Sequence, residues 1–288
     1  MRERTLPHSD YFRVTYALLD DGQYVEAEKG FMKLWRGAFR GVDGRWVDSI
    51  CHYTMIGESQ YRQGKTAEAL ENFNQAAMLF IRWRNYMLRV DFSDVTVSQQ
   101  ATQNRACPWG TSARGAKPAH YSDKMTIMDG QLDNSDAVRN GGVVRLPSYR
   151  VVVVPEVVRC TALCLYRRWE ILGPVCKYDP LTSQLSRSFA EALTPARHWS
   201  ESWVMLEQGL THANADQPAQ ALDALNRSLL LNGKLDHGLS SIGLLAMGRL
   251  YLEAGKLDEA ANAFLEASIV AYKYPDMTFL EESLRYGQ

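Results

Sequence analysis

The sequence predicts a mainly α-helical chain, an array of helical hairpins interrupted near its middle by a loop and β-hairpin segment. Three observations carry that prediction. A pattern of small and aromatic residues recurs four times. Apolar residues on both sides of each central turn position recur at three- and four-residue spacing. Between Asp91 and Pro155 that helical period disappears. With 288 residues, 46% of them apolar, the chain can bury a substantial core as one elongated or two compact domains.

The clearest copy is GRLYLEAGKLDEAANAFLEA, in which Gly248, Tyr251, Gly255, Ala260, Phe264 and Ala267 stand at offsets 0, 3, 7, 12, 16 and 19. Leu244, Met247, Gly248 and Tyr251 form an apolar stripe before Gly255, and Leu257, Ala260, Ala261, Phe264 and Ala267 form one after it. A glycine between two such stripes permits a tight helix-turn-helix. Gly248 and Ala260 are small where the two rods cross closely, and Tyr251 and Phe264 fill the space beside the crossing. GESQYRQGKTAEALENFNQA repeats the arrangement with Gly57, Tyr61, Gly64, Ala69, Phe73 and Ala76. An N-terminal copy uses Leu18, Gly22, Tyr24, Ala27, Phe31 and Leu34. A further copy has Gly209, Asp216, Ala221, Leu225 and Ser228, with Asp216 at the turn and Pro218 opening the second helix.

Between the pairs, the helix that follows Gly64 is expected to run from Thr66 to about Val90, roughly 37 Å at the helical rise. ACPWGTSARGAKPAHYSDK is loop-forming. Asp129-Gly130 in MTIMDGQLD is a hairpin signal, and the β-branched runs around Pro147 predict extended or edge-strand structure. The insertion is expected to fold against the helices as a small β-containing element. Helix returns at Pro155, a first-turn position, and PLTSQLSRSFAEAL supplies a second helix. The predicted organisation is therefore hairpins over 9–90, the insertion over 91–155, a degenerate helical pair over 156–193 and hairpins over 194–273. Residues 276–288 are either the start of a further hairpin in a chain cut from a longer one, which is favoured, or a capping helix.

The order small, aromatic, Gly, Ala, aromatic, Ala resembles the tetratricopeptide repeat, over roughly half of the chain. The resemblance implies a right-handed α-solenoid. The family's spacing of about 34 residues is not kept: Gly22 and Gly64 lie 42 apart, and Asp216 and Gly255 lie 39 apart. In that family the first helices of successive hairpins line a concave groove that receives a peptide or a partner's helix. Transferred position by position, the lining comprises Phe12, Tyr16 and Leu19; Thr54, Glu58, Tyr61 and Arg62; Trp203, Leu206, Leu210 and Asn214; and Ile242, Leu245, Arg249 and Glu253. From these, Tyr16, Glu58, Tyr61, Arg62, Trp203, Arg249 and Glu253 are the candidate partner-binding residues. The family's clamp for terminal carboxylates is absent, since Thr54 and Glu58 stand where Lys and Asn are needed. The resemblance implies a non-enzymatic scaffold with a protein or peptide partner.

Catalytic signatures are missing. No HExxH, CxxC, GxxxxGK[ST] or GxSxG pattern occurs, and the six histidines form no i, i+4 pair. No cofactor, metal or catalytic residue is therefore assigned. Cys160 and Cys164 share a helix face, but their flanks are apolar and a packing role is preferred to metal ligation. Glu281-Glu282 reads as a solvated helix surface. Asn140-Gly141-Gly142 reads as a flexible turn. Within the insertion, Trp109, Arg114, Lys117, His120, Tyr121 and Asp123 are candidates for a polar pocket, which supports an alternative function: an enzyme or small-ligand binder with its site between the insertion and the 156–193 helices. A second alternative, RNA binding, rests only on Arg82-Trp83-Arg84 and Arg167-Arg168. The formal net charge of -1 argues against a chain devoted to nucleic acid. No apolar run approaches the ~20 residues that span a bilayer, and the polar N-terminus lacks a signal core, so a cytoplasmic location is expected.

Overall fold

The computed structural model describes residues 5–41, 44–99, 106–129, 139, 141, 147–191 and 194–287. In chain order the helices are α1 (Ser9–Val14), continued by a π-helical turn (Thr15–Leu19), α2 (Tyr24–Arg36), α3 (Ser49–Arg62), α4 (Thr66–Trp83), α5 (Val154–Leu172) and α6 (Pro180–Ala190). They continue as α7 (Glu201–Asn214), α8 (Pro218–Ser228), α9 (Ser240–Glu253), α10 (Leu257–Lys273) and α11 (Met277–Tyr286). The chain is mainly α.

Sequential helices pack in pairs: α1 with α2, α3 with α4, α7 with α8 and α9 with α10. In the last three of these pairs a glycine at the crossing meets the aromatic or leucine sixteen positions later. A Cβ added at Gly57 would lie 2.9 Å from the Phe73 ring and 3.1 Å from the Ala69 carbonyl oxygen; one at Gly209 would lie 2.6 Å from Leu225, and one at Gly248 would lie 2.5 Å from the Phe264 ring. No side chain fits at these points, which is why glycine stands there.

The four turns share one geometry. Gly22, Gly64, Asp216 and Gly255 all have φ between 57° and 77°. Each N–H bonds the carbonyl three residues back, as in Gly64 to Tyr61, and the next N–H reaches five back, as in Lys65 to Gln60, Gln217 to His212 and Lys256 to Tyr251. This is the Schellman closure of a helix C-terminus, and it needs a left-handed residue. Asp216 adopts that conformation without being glycine, as Asp tolerates better than most residues.

Two sequence expectations are corrected and a third lies partly outside the described residues. The helix after Gly64 stops at Trp83 instead of Val90, giving way to a 3₁₀ turn (Tyr86–Arg89) that buries Tyr86 and Met87, and then to a strand. Asp129 ends a strand, and the expected turn at Asp129-Gly130 runs into residues 130–138, which lie outside the described ones. The 156–193 helices do not form a hairpin pair. A 3₁₀ stretch (Gly173–Tyr178) separates them, and α6 lies against α4 and α7.

The strands are β1 (Arg40–Gly41), β2 (Gly44–Arg45), β3 (Val90–Asp91), β4 (Ser98–Gln99), β5 (Lys117–His120), β6 (Lys124–Asp129), β7 (Ser148–Val153) and β8 (Leu235–Asp236). β6 is central in an antiparallel β3-β6-β7 sheet, with Asp129 opposite Ser148 and Lys124 opposite Val153. Leu6 bridges to Val152 on the free side of β7, tying the N-terminus to the insertion. β5 pairs with β4 and, in parallel, with β8 from the α8–α9 connection. The insertion thus folds against helices on both sides of it. The loop at 107–114 runs along α10: Trp109 Nε1 donates to Ser268 Oγ at 2.9 Å, and Glu266 accepts from Ser112 Oγ and the Ala113 N–H.

The core centres on α5, which packs on α3, α4, α7 and α9. Val157, Cys160, Leu163, Cys164 and Tyr166 are all buried. Cys164 donates to the Phe73 carbonyl and Cys160 lies 3.3 Å from the Tyr11 hydroxyl, so both thiols sit in helix contacts.

Candidate functional site

Arg167 and Arg168 also lie on α5, wholly buried. Arg167 holds Glu58 of α3 through two bonds, Nε and Nη2 at 2.7 and 2.8 Å, and also donates to Glu170 at 2.6 Å and to Glu282 of α11 at 2.9 Å. The Tyr61 ring lies 4.3 Å from its guanidinium carbon. Arg62 adds bonds to Glu58 and Glu281, and Arg285 adds bonds to Glu170 and Glu282. Burial by itself would raise the Glu58 carboxyl; Arg167 and Arg62 outweigh it and hold it at about 2. This network joins a helix of the first half of the chain to the last helix.

That seam corrects the expected groove. Glu58, Tyr61 and Arg62, assigned to a partner, are engaged by α5 and α11 of the same chain. Glu282 is buried rather than solvated, and Arg167-Arg168 are internal, so that pair offers no surface to a polyanion. Arg84 pairs with Glu191, and Arg89 stacks over Trp83. Trp203 is fully buried among Tyr121 and Trp199, at 5.5 and 4.9 Å between ring centroids. Arg249 lies 3.9 Å over Trp169 and, with Glu253, lines a cleft of about 330 Å³.

The insertion candidates are likewise dispersed. Trp109 packs against α10, its ring 5.1 Å from Tyr272. His120 is exposed on β5. Arg114 bonds Asp236 and the Leu229 carbonyl, and lines a cavity of about 670 Å³ with Trp199, Arg197 and Arg227. Of the Asn140-Gly141-Gly142 turn only Gly141 is described, with φ 69°.

Tyr121 and Asp123 face a different cavity, of about 640 Å³, which is the candidate site. Five segments wall it, one of them the β8–α9 connection at Gly238 and Leu239. Phe12, Tyr16 and Asp20 come from α1 and the turns after it. Tyr121, Asp123 and Lys124 come from the connection between β5 and β6. Pro155, Glu156 and Arg159 come from the first turns of α5, and Tyr274 to Met277 form the α10–α11 connection. Each segment is fixed locally. Tyr11 anchors α1 through a 2.6 Å bond from its hydroxyl to Glu156. Tyr274 accepts from the Ala119 N–H and donates to the Asp236 carbonyl, while Asp276 caps α11 by accepting from the Phe279 N–H.

Arg159 lies between two carboxylates, with Nε 2.5 Å from Asp276 and Nη1 3.2 Å from Glu156. The Asp20 carboxylate has no hydrogen bond or ion pair among the described residues, and burial raises it to about 6. Tyr16 is 61% exposed, its ring stacked at 6.4 Å on Phe12. The combination of apolar rings, a few convergent charges and an unpaired carboxylate is what a binding site requires. Sequence reasoning picked out Phe12, Tyr16, Tyr121 and Asp123 but missed Asp20, Glu156, Arg159 and Asp276. One signal was available: Arg159 stands among the apolar residues of a helix that is buried along most of its length.

Among the described residues no group of three or more His, Cys, Asp or Glu could hold a metal, and no helix is long and apolar enough to cross a membrane. The sequence matches no protein-family model and no curated protein.

Proposed function

We propose that the chain is a non-catalytic binding module, a divergent tetratricopeptide-like array whose insertion and C-terminal helix fill most of the usual groove. The cavity between the insertion and the start of α5 stays open, and it receives a short segment of a partner protein or peptide. The shared Schellman turns and the glycine-to-aromatic crossings sixteen residues apart support the repeat reading. The observation that carries the function is the convergence of five separate segments, with exposed rings and charges, on one cavity of about 640 Å³.

Selection of peptides from a random library on the folded chain tests the proposal. Binders are expected, and Phe12→Ala and Tyr16→Ala each lower their affinity at least tenfold without altering the helical circular dichroism. Substitution of Glu253, on the separate cleft, leaves binding unchanged. Binders insensitive to both ring substitutions, or turnover of a small substrate, overturn it. The second reading, a small-ligand binder, is favoured by one observation: the cavity lies between the insertion and the start of α5. Thermal-shift screening with metabolites separates the two.

A further inference from the structure

We infer that the group this cavity receives is an organic cation on an apolar stem, an ammonium or guanidinium carried by a peptide, with the carboxylate of Asp20 and the rings of Tyr16 and Phe12 as its receptors. The inference rests on the binding reading above and specifies its ligand.

The charge of the walls points first to a cation. Among the described residues, Asp20, Asp123, Glu156 and Asp276 face Lys124 and Arg159, four acidic groups against two basic ones. Their pairing sharpens this. Arg159 is bonded to both Glu156 and Asp276, and among the described residues it makes no bond to Asp20. Among the described residues neither the Asp20 nor the Asp123 carboxylate has a bonded partner; Asp123 is exposed, and Asp20 is the one that is half-buried. Its surroundings are Arg159 of α5, Asp276 before α11, Glu281 of α11 and the adjacent Asp21; burial is the largest influence, and the three acidic neighbours add to it against the single arginine. A half-buried carboxylate in that setting is held in an unfavourable charged state at neutral pH, and an incoming cation relieves it.

The aromatic lining then distinguishes an organic cation from a metal ion. Tyr16 shows 61% of its surface and is stacked on Phe12, and Tyr121 and Tyr274 complete the wall. Ring faces attract a diffuse cation and its methylenes but offer a metal no ligands. Asp20 alone cannot satisfy a hard cation, since Glu156 and Asp276 are committed to Arg159.

The test is a titration of the full chain with four capped amino acids, followed by NMR of the Met277 methyl group, which lines the cavity. Nα-acetyl-lysine amide and Nα-acetyl-arginine amide are expected to bind at least tenfold tighter than the neutral isostere Nα-acetyl-norleucine amide, with Nα-acetyl-glutamate amide weakest. Uncapped norleucine amide distinguishes a peptide N-terminus from a side chain as the source of the charge. Asp20→Asn removes the tenfold preference and leaves norleucine binding in place, and the wild-type preference fades as pH falls through about 6, where Asp20 takes up a proton. Equal binding of the lysine and norleucine probes, with both shifting Met277, sinks the cationic assignment while the cavity remains a receptor. Preference for glutamate also sinks it. If no probe moves Met277 the assignment falls, and the binding module is then judged on the peptide library alone.

Discussion

At the seam between α3, α5 and α11, three arginines (Arg62, Arg167, Arg285) meet four glutamates (Glu58, Glu170, Glu281, Glu282), and every carboxylate has a guanidinium within 2.9 Å. Around the cavity the residue types are similar, but Arg159 is shared between two carboxylates and the Asp20 carboxylate has no partner among the described residues. Both regions lie between helices distant in sequence. The difference teaches how to separate structure from function in a charged interior. A network in which each charge is answered specifies how helices meet, and its members have nothing left for a ligand. An unanswered charge facing a cavity costs stability unless something outside the chain completes it.

The comparison breaks most visibly at Arg167. Arg167→Met leaves Glu58 buried with only the partly exposed Arg62 beside it, and removing one partner of a buried pair costs about 3–5 kcal/mol. Urea unfolding measures this. Pairing the change with Glu58→Met removes the stranded charge and is expected to recover more than half of the loss. A single-variant cost below about 1 kcal/mol would mean that the seam behaves as a surface ion pair.

How much of this was legible in the sequence depends on the range of the interaction. The helix pairs were legible because their determinants are local. Gly248, Gly255 and Phe264 fall within seventeen consecutive residues, and the crossing and its turn follow from them. The structure sharpens that point, since the Cβ of Gly248→Ala would sit 2.5 Å from a Phe264 ring already stacked on Tyr286. Overpacking there is expected to cost about 1–3 kcal/mol, read as a lowered urea midpoint with unchanged slope. The seam and the cavity were not legible. Arg167 meets Glu58 across 109 residues and Arg159 meets Asp276 across 117, and no period records which charges a fold brings together. Glu58, Tyr61 and Arg62 were assigned outward because the family pattern supplies no helix that returns from the chain end to cover them. Where Asp129 paired was hidden for the same reason: β6 finds β7 across a long connection, not across a two-residue turn.

The smallest expected effect has the opposite sign, and it separates the two regions most cleanly. Glu58 has a depressed carboxyl, so its contribution to stability is present above the ordinary glutamate range and is lost only as pH falls through about 2. Asp20 has a raised one, about 6 against an ordinary 3.8, so the ligand-free native state takes up a proton more readily than the unfolded chain. Its ionisation therefore works against folding: the penalty is absent below the unfolded value, grows as pH rises through the folded one, and is constant above it. Asp20→Asn should then make the empty protein more stable at pH 7, by about 1 kcal/mol after allowing for the solvent that reaches a half-buried group. The advantage should vanish near pH 4. Unfolding curves of both proteins at the two pH values decide the matter. A variant less stable than wild type at pH 7 would show that Asp20 has a structural partner, and the cavity would then be as internally satisfied as the seam.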